Sequence, residues 1–243
     1  MAEEKLGLTF GRVAETYDRL RPEFAPAAVD HAVASLGLAR GASVLDLAAG
    51  TGALTRALRA RGAVVVAVEP DDDMRAYVGG DARAGYAETI PLEDSSVEAV
   101  FVGDAFVWFD ASRALAEIER VLRAGGGLAL LWRDWYGREQ PSAPPEVGRL
   151  LTDLYQRFRQ GGPSPGDWRE DLGRSAFGLL EQATFEERLT ISGRDLADLE
   201  LTRSSAAMLD DEERAALAAR IYPQMEASYD LTVVTEVDLT RLP

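Results

Sequence analysis

Residues 42–70 read ASVLDLAAGTGALTRALRARGAVVVAVEP. The run Val44-Leu45-Asp46-Leu47 is dense enough in apolar residues for a strand covered on both faces. Ala48-Ala49-Gly50-Thr51-Gly52 then reads as a turn, and Leu54, Leu58 and Arg61 recur at near-helical spacing up to Gly62. A second apolar run, Val64–Val68, stops at Glu69. Strand, small-residue turn, helix and strand make a βαβ unit, which places a ligand over the carboxyl end of its first strand. Glycines at 50 and 52 let the backbone come close to that ligand. Glu69, at the tip of the second strand, is placed to accept hydrogen bonds from the vicinal hydroxyls of a ribose, so the expected ligand contains adenosine.

The turn distinguishes among nucleotide sites. A dinucleotide site reads G-x-G-x-x-G/A, whereas this chain has Thr55 at the third position. A phosphate-binding P-loop needs lysine after its last glycine, and the single lysine is Lys5. What remains is an acidic residue in the first strand (Asp46), a small-residue loop and Glu69. This pattern resembles the first two motifs of the class I S-adenosylmethionine-dependent methyltransferases. The resemblance continues downstream. Gly85–Ser96 reads G-x-A-E-x-I-P-L-x-D-S-S. Ala105–Phe109 is similar to the family's A-x-H-W motif, with Val107 where many relatives have histidine. Residues 114–131 read A-L-x-E-I-x-R-V-L-x-x-G-G-G-L-A-L-L. At the N-terminal side, Y-D-x-x-R-P at 17–22 resembles the trans-aconitate-methyltransferase-like and ubiquinone-methyltransferase-like branch.

The resemblance covers about residues 9–135 and implies a Rossmann-like α/β fold: a doubly wound seven-stranded sheet, last strand antiparallel, helices on both faces. It implies a single methyltransferase domain over residues 1–243, with S-adenosyl-L-methionine as cofactor. Tyr17 and Arg21 would reach the methionyl carboxylate. Asp46, Ala48, Gly50, Thr51, Gly52, Glu69 and Pro70 would form the central crevice. Ala87 and Glu88 would border the adenine, with Met74 against its face, and Asp104, Ala105 and Trp108 would close the site from the fourth strand. Plainer roles compete for some of them: Arg21 can pair with Glu15 or Asp18, and Met74 can be core.

Composition narrows the partners. With 26 basic against 41 acidic residues the chain carries a formal charge of −15, which opposes phosphate backbones and anionic membranes. There is no cysteine, hence no disulfide and no thiolate metal site. No apolar run approaches the ~20 residues of a membrane span, and the N-terminus lacks a signal-peptide core. A cytoplasmic, bacterial protein acting on a small molecule is expected, with no nucleic acid, membrane or metal. Its oligomeric state is open.

Periodicity predicts a helix over Pro26–Leu38, a third strand at 82–86, a fourth at 97–103 and a fifth at 128–132. The intervening helix carries Ala114, Leu115, Ile118, Val121 and Leu122 and ends at Gly125-Gly126-Gly127. Residues 136–183 leave the common pattern and are expected to form a helical cap between strands five and six. Their amphipathic helix bears Val147, Leu150, Leu151, Leu154, Tyr155 and Phe158. Strand six is expected over Phe185–Ile191, helices over 195–207 and 210–225, and the last strand over 229–242. Trp108, Trp135, Tyr136 and Trp168 are candidate substrate contacts, or anchors of the cap. For the catalytic role the polar candidates are Asp104, His31, Tyr17 and Tyr136, with no choice among them. Methyl transfer needs a general base only if the acceptor is protonated, and O-, C- and carboxyl-methylation stay open. Two rivals stand beside it: a cofactor-binding fold catalysing a cyclisation or rearrangement, and a non-catalytic binding module.

Overall fold

The computed structural model describes residues 10–135, 143–159, 168–178 and 180–243. The βαβ stretch forms as read, with β1 at Ser43–Leu47, α3 at Ala53–Ala60 and β2 at Val64–Val68. Before it stand α1 (Ala14–Leu20) and α2 (Pro26–Ser35). Pro22 disfavours a helical Arg21, and Arg21 is extended at φ −61°, ψ 126°. After it come α4 (Asp72–Arg75), β3 (Ala82–Arg83), β4 (Val97–Gly103), α5 (Ala111–Val121) and β5 (Leu122–Asp134). Then follow α6 (Pro145–Arg159), α7 (Trp168–Arg174), β6 (Glu181–Ser192), α8 (Gly193–Glu200), α9 (Ser204–Ala207), α10 (Asp211–Ile221) and β7 (Ser228–Arg241).

The sheet order is β3-β2-β1-β4-β5-β7-β6. β1 pairs in parallel with both β2 and β4, so the order reverses between β1 and β4, where an open α/β sheet opens its crevice. β7 lies antiparallel beside β6: Gln182 donates to Asp238 and Thr190 to Asp230, so rising numbers on one strand meet falling numbers on the other. The expected seven strands and antiparallel last strand are present.

Several boundaries differ from the sequence expectation. Leu122 belongs to β5, opposite Val97, instead of the helix, because the strand begins before the glycines and carries an irregularity between Val97 and Ala99. β3 has only two residues, and Tyr86 makes an isolated bridge to Thr89. The expected helix over 195–207 is broken at Leu201–Arg203 into α8 and α9. α2 stops at Ser35, three residues early, with Gly37 at φ +62°.

The described residues fall into two compact units, 10–22, 134–135, 143–159 and 186–233 in the first, and 23–133, 168–178, 180–185 and 234–243 in the second. The second unit holds the doubly covered part of the sheet. Val44, Ala99, Phe101, Ala129 and Leu131 face one core with Val29 of α2 and Leu54 and Leu58 of α3. Their neighbours Leu45, Val100, Val102, Leu128 and Leu130 face the other, with Ile118 of α5 and Leu172 of α7. This alternation is the two-residue period of a strand with helices on both sides. In the first unit Val147 and Leu151 of α6 pack with Leu217 and Ile221 of α10, while Trp135, Leu196 and Leu199 pack with Leu231 and Val233. So α6, the expected cap helix, belongs to the first unit and α7 to the second.

Candidate functional site

The turn after β1 is built from left-handed residues: Ala48 at φ +56°, Gly50 at +57° and Gly52 at +87°. Gly50 tolerates this conformation and lets the Met74 methyl approach to 3.5 Å of where a Cβ would stand. Gly52 is required on two counts, because a Cβ there would also lie 3.0 Å from the Val78 backbone. Its role is thus to seat α3 against the segment after β2. Sequence reasoning gave it to the ligand alone.

Glu69 sits at the tip of β2, 6 % exposed. One carboxylate oxygen accepts from the Gly50 amide at 2.8 Å and the other from the Asp71 amide at 3.0 Å. Each oxygen therefore keeps a lone pair for another donor. Burial pushes the Glu69 carboxyl up to about 7, against the pull of those two amides. Asp71 in turn caps α4 by accepting from the Asp73 and Met74 amides, and Met74 is buried.

Asp46 is 1 % exposed; Oδ2 accepts from the Thr55 hydroxyl at 2.5 Å, and Oδ1 has no hydrogen-bond partner. Burial raises its pKa to about 6. A buried acceptor without a donor is costly, and its place in the strand beside the turn suits a ligand that brings one. Thr55, which breaks the dinucleotide pattern, is thus the residue that holds Asp46. Thr51 is buried and its carbonyl accepts from Arg56 at 2.9 Å.

At the end of β4, Asp104 stands at φ +56°. Its carboxylate accepts from the Arg133 backbone amide and from Nε, both at 2.7 Å, with Nη2 at 2.6 Å. The Arg133 side chain is 3 % exposed, and its guanidinium lies 4.0 Å over the Phe24 ring. Asp104 is committed to that ion pair. Arg133 and Phe24 were missed in the sequence, since no local spacing links 24, 104 and 133.

Beyond Asp104 the chain makes one tight turn, Phe106–Trp108. Phe106 is buried, while Val107 and Trp108 are 37 % and 41 % exposed. Trp168 is the reverse: it stacks on Trp132 and meets Phe106 edge-on, both at 5.7 Å, as part of the core. Ala87 is buried, the Glu88 carboxylate accepts from the Asp110 amide at 2.8 Å, and Ala105 and Pro70 are half-buried. His31 lies half-buried on α2 with its ring 5.5 Å from that of Phe185, in a packing contact.

Three candidates lie in the first unit. Arg21 rests over Tyr17 at 4.4 Å and Trp135 at 4.8 Å, and donates to the Thr202 carbonyl at 3.3 Å. Trp135 is 2 % exposed. Tyr136 lies outside the described residues. Among the described residues no group of three or more His, Cys, Asp or Glu is placed to hold a metal, and no helix is long and apolar enough to cross a membrane.

Residues 45–130 match the family model described as "Methyltransferase domain". An uncharacterized methyltransferase of Schizosaccharomyces pombe is 30% identical over 223 residues, 89% of this chain and 86% of the relative. The chain belongs to the class I S-adenosylmethionine-dependent methyltransferases. An uncharacterized methyltransferase of Mycobacterium tuberculosis is 45% identical over 132 residues, 52% of this chain and 53% of the relative, so the match spans about half the length of each. A methyltransferase structure from Thermotoga maritima superposes with a TM-score of 0.53 at 18% identity, covering 97% of this chain and 99% of that one, which bears on the fold. The family's cofactor is S-adenosylmethionine, and the second unit's crevice fits it: an unpartnered buried carboxylate oxygen on Asp46, spare lone pairs on Glu69 and a left-handed turn between them.

Proposed function

We propose that this methyltransferase transfers a methyl group from S-adenosylmethionine to a small molecule. The observation that carries the reading is the buried Glu69 carboxylate at the tip of β2, fixed by two backbone amides and retaining acceptor capacity for a ribose diol. When bound, the cofactor supplies a methyl group activated by its sulfonium.

The chain's own part is to hold and to exclude. Glu69 grips the sugar, Asp46 Oδ1 takes a donor of the amino-acid portion, and Met74 with Ala87 bounds the base. Trp108 and Val107 give the end of β4 an apolar surface, and an aromatic face there favours a neighbouring cation. Holding a nucleophile in line with the methyl carbon can alone lower a barrier by ~7–11 kcal/mol.

Asp104 is tied to Arg133 and His31 packs against Phe185, which leaves neither placed as a free base. Val107 stands where the resembled motif has histidine. These features support an acceptor whose nucleophile is already anionic, such as a carboxylate. The test is transfer of labelled methyl from S-adenosylmethionine into a panel of small carboxylic acids, phenols and amines. Label in the acids supports the reading. Absence of label from every acceptor, together with no calorimetric binding of S-adenosylhomocysteine, would remove it.

A further inference from the structure

Residues 84–96, between β3 and β4, form no helix or strand beyond the Tyr86–Thr89 bridge. The segment starts beside the tip of β2, where the Glu69 amide donates to the Arg83 carbonyl at 3.0 Å. It then folds back tightly: a Cβ on Gly85 would stand 2.6 Å from the Pro91 ring and 3.1 Å from the Val68 side chain. Ala87 and Ile90 are buried with Ala114, Leu115 and Ile118 of α5.

Two charged residues of α5 grip this segment by its backbone. Glu117 accepts from the Ile90 amide at 2.8 Å, and Arg120 donates to the Ile90 carbonyl at 2.9 Å. Arg120 also donates to the Leu92 carbonyl at 2.8 Å and to the Asp94 carboxylate at 2.7 Å. Its Nε and Nη2 hold the two Glu117 oxygens, each at 2.7 Å, which keeps the Glu117 carboxyl below its ordinary range. Both polar groups of the Ile90 backbone are therefore taken by side chains of one helix. The Glu88 carboxylate adds a second tie, to the Asp110 amide at the start of α5. A part-exposed ion pair contributes little stability by itself. A segment without its own ladder, in contrast, depends on outside partners to fix its conformation.

We infer that Glu117 and Arg120 are positioning residues for base recognition: they hold the turn of Ala87 and Glu88 in place at the cofactor's adenine, so that the site distinguishes a 6-amino from a 6-oxo purine. The inference rests on the cofactor reading above, in which Ala87 bounds the base. An amino group donates where an oxo group accepts, so a turn held in one conformation separates the two and a loosened one does not.

Calorimetry on the full chain compares S-adenosylhomocysteine with S-inosylhomocysteine, which carries the 6-oxo base. Wild-type protein should prefer the adenosyl ligand. Arg120→Gln is expected to weaken S-adenosylhomocysteine about tenfold and to leave S-inosylhomocysteine within about twofold, so the preference shrinks. Glu117→Ala, which releases the Ile90 amide, should do the same and serves if Arg120→Gln fails to fold. In the Arg120→Gln background, Glu117→Ala should add little, because both act through Ile90. Equal losses for both ligands, an unchanged preference in the folded variants, or full additivity would overturn the positioning role. So would wild-type protein that binds both ligands alike, and each of these leaves the cofactor reading intact. Wild-type protein that binds neither ligand would overturn both.

Discussion

The Glu69 carboxylate accepts a hydrogen bond from the Gly50 amide at 2.8 Å, joining the tip of β2 to the turn after β1. One side chain therefore shapes the turn and, in the proposed function, takes the ribose. Removing it should act on both. Glu69→Ala is expected to weaken S-adenosylhomocysteine by about 1–3 kcal/mol, the worth of a charged hydrogen-bond acceptor. Glu69→Gln should lose less, since its carbonyl oxygen can still accept from Gly50. Titration calorimetry of both variants decides the matter; unchanged affinity in Glu69→Ala would mean the sugar lies elsewhere.

The same carboxyl gives binding a pH dependence. Burial lifts Glu69 to about 7, and ribose hydroxyls donate best to its ionised form. Affinity for S-adenosylhomocysteine should therefore climb as pH rises from about 6 to 8 and then level. Below neutrality, complex formation should release protons, visible as a binding enthalpy that changes with the ionisation enthalpy of the buffer. In Glu69→Gln the proton release and the pH slope should both be smaller.

Asp46 makes a prediction about stability. A carboxyl group whose folded-state pKa lies above its unfolded value stabilises the fold fully below the unfolded pKa, and loses that contribution as pH rises through the folded one. For Asp46 the window runs from 3.8 to about 6. At about 1.4 kcal/mol per unit, its burial in ionised form costs about 2–3 kcal/mol above that range. Asp46→Asn keeps an acceptor for Thr55, so it should match the wild type near pH 4 and exceed it in denaturant unfolding near pH 8. A stability difference that stays constant with pH would show that Asp46 titrates normally.

The chain's local signals reached different depths. The βαβ unit, the fourth strand and the crevice between β1 and β4 were legible because apolar runs and a turn of small residues are local features. The resemblance motifs then supplied the seven strands and the antiparallel last one. The long-range partners were not legible. Asp104 is held by Arg133, and Arg133 is covered by Phe24, a set joined only once β4 and β5 lie side by side and the segment before α2 packs over them. Leu122 looked helical because an amphipathic stripe continues smoothly into a strand of the same composition. Trp168 and Trp108 looked alike as candidate contacts, since exposure has no sequence period.

Arg133 and Asp104 form a pair that is costly to split. The Arg133 side chain is 3 % exposed and the Asp104 side chain 20 %. Arg133→Ala would leave a largely buried carboxylate on a left-handed residue without its partner, at a cost of about 2–4 kcal/mol after allowing for Asp104's partial exposure. Arg133→Lys should recover only part, because a single ammonium cannot supply both guanidinium contacts. Thermal unfolding of the two variants measures this. A Tm unchanged in Arg133→Ala would show that solvent screens the pair completely.

The two tryptophans separate stability from recognition. Trp168 is 8 % exposed, stacked on Trp132 and edge-on to Phe106, so Trp168→Ala should cost about 3–5 kcal/mol through the lost burial and the cavity it leaves. Trp108 is 41 % exposed at the end of β4, and Trp108→Ala should change unfolding free energy by no more than about 0.5 kcal/mol. The order reverses for the ligand: Trp108→Ala should impair methyl transfer at a given cofactor occupancy, while Trp168→Ala should impair it only as far as it unfolds the chain. Denaturant melts and single-turnover rates, taken on the same preparations, read the two effects apart. A Trp108→Ala protein that melts early would make that side chain part of the core, and a Trp168→Ala protein that stays folded yet loses transfer would return Trp168 to the acceptor.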